Sequence, residues 1–192
     1  MNYIFSAIFL YFFLGFLLYI FQRRIVFNKS GHPGAPKDYN LDNTEEVYIK
    51  TEDNLKLLSW YHKGNNSLPL LVYFHGNSFH IGDRAYRIQK YIEKNWSVLL
   101  ISWRGFGGNE GNPTEKNLYK DAEAVLKWIK NNTEFKFKEL VIYGESLGSG
   151  AAVEMGTKYE FLSIVLEAPF TSINDLSLIH ISSPRDWMVS RM

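Results

Sequence analysis

The apolar positions divide the chain into one long unbroken block near the start and a series of short ones after it. Tyr3 to Phe21 is a run of 19 residues without a charge, dominated by Ile, Leu, Phe and Tyr. As a helix rising about 1.5 Å per residue it would span about 28 Å, close to the thickness of a bilayer's hydrocarbon core. The run therefore predicts a single membrane-crossing helix. A cleaved leader fits less well, because no Lys or Arg precedes the run and Gln22-Arg23-Arg24 follows where small residues would be needed. A buried core helix fits poorly at this length and density of aromatics. Arg23, Arg24, Lys29 and Lys37 all lie on the C-terminal flank, so the positive-inside bias places the rest of the chain in the cytoplasm.

Beyond Gly31-His32-Pro33-Gly34-Ala35-Pro36, which reads as a linker, the pattern changes to short elements. Val47–Thr51 and Leu55–His62 predict two strands of a hairpin around Asp53-Asn54. Leu68–Phe74 is a short apolar run, as expected of a strand covered on both faces, and Trp96–Trp103 reads as a second covered strand. Arg84–Lys94 has helical spacing through Ile88, Tyr91 and Ile92. A second helix is expected to start at Asn112 as N-cap, with Pro113 at its first position and Glu115 three residues after the cap. Its apolar stripe is Leu118, Ala122, Val125, Leu126 and Ile129. Leu140–Tyr143 predicts another covered strand, followed by a small-residue helix from Leu147 and a strand over Leu162–Leu166. Strands alternating with helices predict an α/β class: a mostly parallel sheet with helices on both faces.

Composition removes several classes of function. The 192 residues carry 21 Lys and Arg against 20 Asp and Glu, so there is no electrostatic footprint for nucleic acid. The absence of cysteine excludes disulfides, thiolate metal sites and a cysteine nucleophile. The five histidines are scattered, none paired with another at ligand spacing on a predicted helix, so neither a metal site nor a cofactor is expected.

The segment that carries chemistry is Leu140-Val141-Ile142-Tyr143-Gly144-Glu145-Ser146-Leu147-Gly148-Ser149-Gly150. It places Gly-x-Ser-x-Gly after a strand and before a helix. Such a turn strains the serine backbone, presents its hydroxyl at the carboxyl edge of the sheet, and leaves no room for side chains at the two flanking glycines. The helix N-terminus then favours negative charge at the reacting centre. The five residues alone are weak evidence, since three fixed positions recur by chance in about one chain of this size in fifteen. Two other segments strengthen them. A covered strand ends in His75-Gly76-Asn77, about two βα units upstream. Another ends in Arg104-Gly105-Phe106-Gly107, whose glycines suit a loop shaping a pocket edge and lack the spacing of a phosphate cradle. His75 reads as a structural, hydrogen-bonded loop residue, and His80 as a loop or helix-start residue.

These segments, with Glu167-Ala168-Pro169-Phe170, occur in the order and spacing of the α/β-hydrolase superfamily, and the chain resembles its membrane-anchored serine-hydrolase branch from residue 1 to about 176. The resemblance implies that Ser146 is the nucleophile toward ester, thioester or amide bonds of a small-molecule or acylated substrate. It also implies that the backbone amides of Asn77 and Leu147 hold the oxyanion. The triad order of the fold places an acid and then a histidine after the strand at Leu162–Leu166. Only 22 residues follow Phe170, too few for two further βα units, and Asp175, His180 and Asp186 read as bystanders. The pattern dissolves after Leu176 into a tail resembling translated adapter sequence.

The expected organisation is therefore an anchor over 1–24, a linker over 25–45, the N-terminal part of an α/β-hydrolase domain over 46–176, and an atypical tail over 177–192. The fold would be incomplete at its C-terminus, and hydrolysis by the chain as written negligible. Two other classes fit the sequence less closely: a non-catalytic membrane-anchored binding or scaffold protein, and a small-molecule binding module.

Overall fold

The computed structural model describes residues 2–26, 31–77 and 79–169. Asp175, His180, Asp186 and the tail 177–192 lie outside the described residues, as does Lys29. Among the described residues six strands form one sheet in the order β1-β2-β4-β3-β5-β6. β1 (Thr44–Lys50) and β2 (Lys56–His62) form the expected antiparallel hairpin. It turns at Asn54, whose φ of 65° suits the short polar side chain of asparagine. β2 runs antiparallel to β4 (Ser97–Ile101). From β4 the sheet is parallel through β3 (Leu70–Phe74), β5 (Leu140–Glu145) and β6 (Ser163–Glu167).

The two strands expected to be covered are so: every residue of β3 and of β4 is buried. Leu70, Val72 and Phe74 join one core cluster with α3 (Glu115–Asn132) and α4 (Leu147–Lys158). Leu71 and Tyr73 join the other, together with Ile88 of α2 (Ala85–Ile92). Helices therefore cover both faces. The stripe Leu118, Ala122, Val125, Leu126 and Ile129 is buried throughout. Among the described strands β6 is outermost, and Ile164, Val165 and Leu166 on it are each more than a third exposed, at 38%, 39% and 39%.

Two details differ from expectation. The N-cap of α3 is Thr114, not Asn112: the Thr114 hydroxyl accepts a hydrogen bond from the Asn117 amide at 3.2 Å. Asn112 and Thr114 can both cap, and the tie is broken by Asn117, whose side chain donates to the Asn112 carbonyl at 3.0 Å and fixes Asn112 two residues ahead of the cap. The segment read as a linker over 25–45 is not a free spacer. Pro33 and Pro36 are buried, a 3₁₀ turn covers Pro36–Tyr39, and β1 already begins at Thr44. Proline rings are apolar and lose little side-chain entropy on burial, so a Gly/Pro segment can pack as readily as it can span. The Arg104–Gly111 loop, expected to shape a pocket edge, is tied to the hairpin and to α3 by its polar side chains. Arg104 is 2% exposed and donates to Asp121 on α3 and to Asp53 in the hairpin turn, while the Asn109 side chain accepts from the Leu58 amide at 2.9 Å. Removing Arg104 would leave Asp121 as a buried carboxylate without its ion-pair partner.

α1 (Asn2–Val26) is a helix of 25 residues. Its large apolar side chains stand exposed, among them Phe9 at 71%, Tyr11 at 75% and Phe12 at 67%. Among the described residues no helix is long and apolar enough to cross a membrane.

Candidate active site

Ser146 sits between the end of β5 and the start of α4 with φ 46° and ψ −110°, outside the regions open to an ordinary L-residue. Such a backbone costs about 1–3 kcal/mol and persists only where neighbours over-determine it. Three hydrogen bonds do so here. The Ser146 amide donates to the Glu167 carbonyl at the end of β6 at 2.8 Å. Its own carbonyl accepts from the Ser149 amide at 2.8 Å and from the Ser149 hydroxyl at 2.6 Å. The Ser146 hydroxyl makes no cap bond to the helix, so its oxygen is not consumed by helix capping.

The two glycines account for how tightly the turn is drawn. A Cβ on Gly148 would stand 2.0 Å from the carbonyl oxygen of Phe74, and one on Gly144 would stand 2.7 Å from the Cα of Ser149. The first turn of α4 thus lies directly against the end of β3. Leu147 is buried as the first residue of α4, and the first amides of a helix have no partner within it. Asn77 is half-buried in the loop that leaves β3, with Phe74 of that strand in register with Gly144 of β5. The elbow and the Asn77 loop therefore leave neighbouring parallel strands at the same end of the sheet.

His75 is fully buried at the start of that loop. Its Nε2 accepts from the Trp103 amide at 3.3 Å, which leaves the ring proton on Nδ1 to donate to the Gly76 carbonyl at 2.6 Å. The Trp103 indole N–H returns a bond to the His75 carbonyl at 2.8 Å. Burial, reinforced by the charge of Arg84, lowers the His75 pKa to about 3. The ring is neutral and both nitrogens are engaged, so it is a brace between two loops rather than a base. His80, half-buried, starts the 3₁₀ turn Ile81–Arg84, its amide donating to Asp83 at 3.3 Å.

The buried imidazole makes stability pH-dependent with a definite sign. The unfolded chain takes up a proton near the ordinary histidine pKa of about 6.5, and the folded chain does not. Stability is complete above that value and falls as the pH drops toward the folded pKa, by about 1.4 kcal/mol per pH unit for one such group. His62, also lowered by burial, adds in the same direction. Urea titrations between pH 7 and pH 5 should show the midpoint dropping steadily; a flat profile over that window would contradict a buried neutral ring.

Sequence reasoning missed a set of charged and phenolic groups beside the elbow. The Glu145 carboxylate accepts from Arg84 through Nε at 3.1 Å and Nη2 at 2.9 Å, and from the Tyr73 hydroxyl at 2.9 Å. The Glu167 carboxylate accepts from Arg87 and from the Tyr143 hydroxyl. Burial works to raise the Glu145 carboxyl, but Arg84 and Tyr73 outweigh it and hold it below its ordinary range. Glu167 is likewise lowered, with Tyr143 and Arg87 outweighing its burial. The available signal was charge where covered strands should be apolar, opposite two arginines three residues apart. Among the described residues no group of three His, Asp or Glu side chains could hold a metal ion.

A strained serine between a parallel strand and a helix, flanked by two glycines with no space for a side chain, defines the class as α/β-hydrolase. The family model described as serine aminopeptidase S33 matches residues 66–191, and the chain belongs to this hydrolase family. Its relatives include the uncharacterized membrane protein YNL320W of Saccharomyces cerevisiae, 30% identical over 81% of this chain and 57% of that protein. The lysophosphatidylserine lipase ABHD12 of Danio rerio is 28% identical over 76% of this chain and 44% of the lipase. Among solved structures, the esterase Pf2001 of Pyrococcus furiosus superposes with a TM-score of 0.68 at 24% identity, covering 84% of this chain and 65% of that one. The chain spans about three fifths of the length of the curated relatives it matches.

Proposed function

We propose that this is a membrane-anchored serine hydrolase that cleaves ester, thioester or amide bonds through an acyl-enzyme on Ser146. The observation that carries the reading is the backbone of Ser146, held at φ 46° and ψ −110° with its hydroxyl free of capping duty. As the Ser146 oxygen adds to the substrate carbonyl, its proton passes to a general base, which later gives it to the leaving group, and the carbonyl oxygen becomes an oxyanion. The amides of Asn77 and Leu147 then donate to that oxygen, and the start of α4 adds a favourable field. Collapse of the adduct expels the leaving group, and water frees the acyl group in a second, equivalent step. An acylated lipid fits the anchor and the lipase among the relatives. A fluorophosphonate probe should label the complete protein, with the adduct on the peptide carrying Ser146. Absence of labelling under conditions where other serine hydrolases in the same membranes react would overturn the reading.

The anchor is supported by α1, whose 25 residues extend about 37 Å as a helix, and by the uncharged run Tyr3–Phe21 within it. A contiguous apolar surface of this size is costly in water. The arginines that follow the run favour a cytoplasmic hydrolase domain. The protein should stay in the membrane pellet after an alkaline carbonate wash, and deletion of residues 2–26 should release it. An intact chain released by the wash would contradict the anchor.

A further inference from the structure

Arg84 and Arg87 lie three residues apart, at the start of α2, and each holds one carboxylate at the end of a neighbouring strand. Those carboxylates, Glu145 and Glu167, are register partners on the parallel strands β5 and β6. Two like charges side by side at the sheet's carboxyl end would repel, and the paired arginines neutralise both.

The placement of Glu145 goes further than charge balance. It immediately precedes Ser146, and its side chain lies against the oxyanion loop: a Cβ on Gly76 would stand 3.0 Å from Glu145 Oε1. Arg84 grips both oxygens of the same carboxylate from the far side of that loop, seven residues beyond Asn77. One carboxylate thus touches the elbow by covalent connection, the loop at Gly76, and the loop's other end through Arg84. On the opposite flank, Glu167 accepts the Ser146 amide through its carbonyl while its carboxylate is held by Arg87 and Tyr143. Arg84 and Glu145 side chains are only 8% and 16% exposed, so water screens the pair weakly.

Resting on the reading of Ser146 as nucleophile, we propose that Glu145, clamped by Arg84, is a positioning residue that sets the spacing between the Ser146 hydroxyl and the Asn77 amide. The carboxylate touches neither substrate nor the reacting atoms. It acts by fixing the elbow against the loop, and a misplacement of about 1 Å at such a site costs about a hundredfold in rate. An ion pair serving stability alone would lower the melting temperature and leave the turnover of the folded fraction unchanged.

The test uses the complete protein in detergent, with a fluorophosphonate probe and a p-nitrophenyl acyl ester. In Glu145→Gln and Arg84→Met, labelling rate and kcat should fall about 10- to 100-fold with KM within twofold, at temperatures well below either variant's melting point. The double variant should be no slower than the worse single one, because both remove the same contact. Arg84→Lys, which keeps the charge but loses the two-point grip, should recover part of the loss; it also serves as the reporter should either other variant fail to fold. Wild-type kcat and labelling rate in folded Glu145→Gln, or in Arg84→Lys where only that variant folds, would overturn the proposal. If the unaltered protein is not labelled at Ser146, the nucleophile assignment itself fails, which is a separate and distinguishable result.

Discussion

Replacing Ser146 with alanine in the complete protein is expected to lower kcat for ester hydrolysis by about 10⁶-fold while leaving the melting temperature unchanged or slightly raised. The rate loss follows from the chemistry: no other described hydroxyl is presented on a strained turn at the first amides of a helix. What remains would be the contribution of the oxyanion donors and binding, about 10³–10⁴ over water. The stability effect follows from the contacts. The Ser146 backbone makes its bonds to Glu167 and Ser149 through main-chain atoms that alanine retains. Its side-chain oxygen caps nothing. Alanine tolerates φ 46° no better than serine, so the strain of about 1–3 kcal/mol is unchanged. A variant that loses both fold and activity would show the hydroxyl to be structural. A variant retaining more than a few per cent of the rate would remove Ser146 from the mechanism.

Gly148→Ala should have the opposite signature, a collapse of the folded state. Its new methyl carbon would stand 2.0 Å from the Phe74 carbonyl oxygen and 2.6 Å from the Phe74 carbonyl carbon. Both are backbone atoms of a fully buried central strand, so no rotamer change relieves the clash. Relief requires α4 to lift off β3, separating Leu147, Ala151 and Met155 from a core they enter fully buried. Overpacking into backbone at this distance should exceed the usual 1–3 kcal/mol of an oversized core residue, and against a total stability of about 5–15 kcal/mol it leaves little folded protein. Circular-dichroism melts should show no cooperative transition at 37 °C or above. Wild-type-like melting would mean that the first turn of α4 does not lie against β3.

The frame of the fold was legible because the covered strands advertise themselves. Leu70–Phe74 and Ser97–Ile101 are buried at every position, so Leu70–Phe74 and Val98–Ile101 read as apolar runs without the polar alternation of a half-exposed strand. The elbow was legible because its glycines are dictated by contacts within a few residues and one neighbouring strand. What escaped was whatever depends on partners distant in sequence. Glu145 looked like a free position between Gly144 and Ser146, yet its partner Arg84 lies 61 residues away. Asp121 drew no attention as a polar residue on a helix, yet it is fully buried and paired with Arg104, 17 residues earlier. The Gly31–Pro36 segment looked like a spacer, because composition records the freedom of glycine and not the surface Pro33 and Pro36 find to cover. The misplaced cap on α3 is a local error of another kind, in which two polar residues two positions apart competed for one role.

The whole account turns on whether the Ser146 oxygen and two backbone amides face a common point. The most direct measurement is an experimental structure of the complete protein after reaction with a small phosphonate inhibitor. The expected result is a covalent bond from Ser146 Oγ to phosphorus, with the phosphoryl oxygen about 2.7–3.1 Å from the amide nitrogens of both Asn77 and Leu147. A phosphoryl oxygen turned to solvent, or bonded by other donors with Asn77 out of reach, would contradict it.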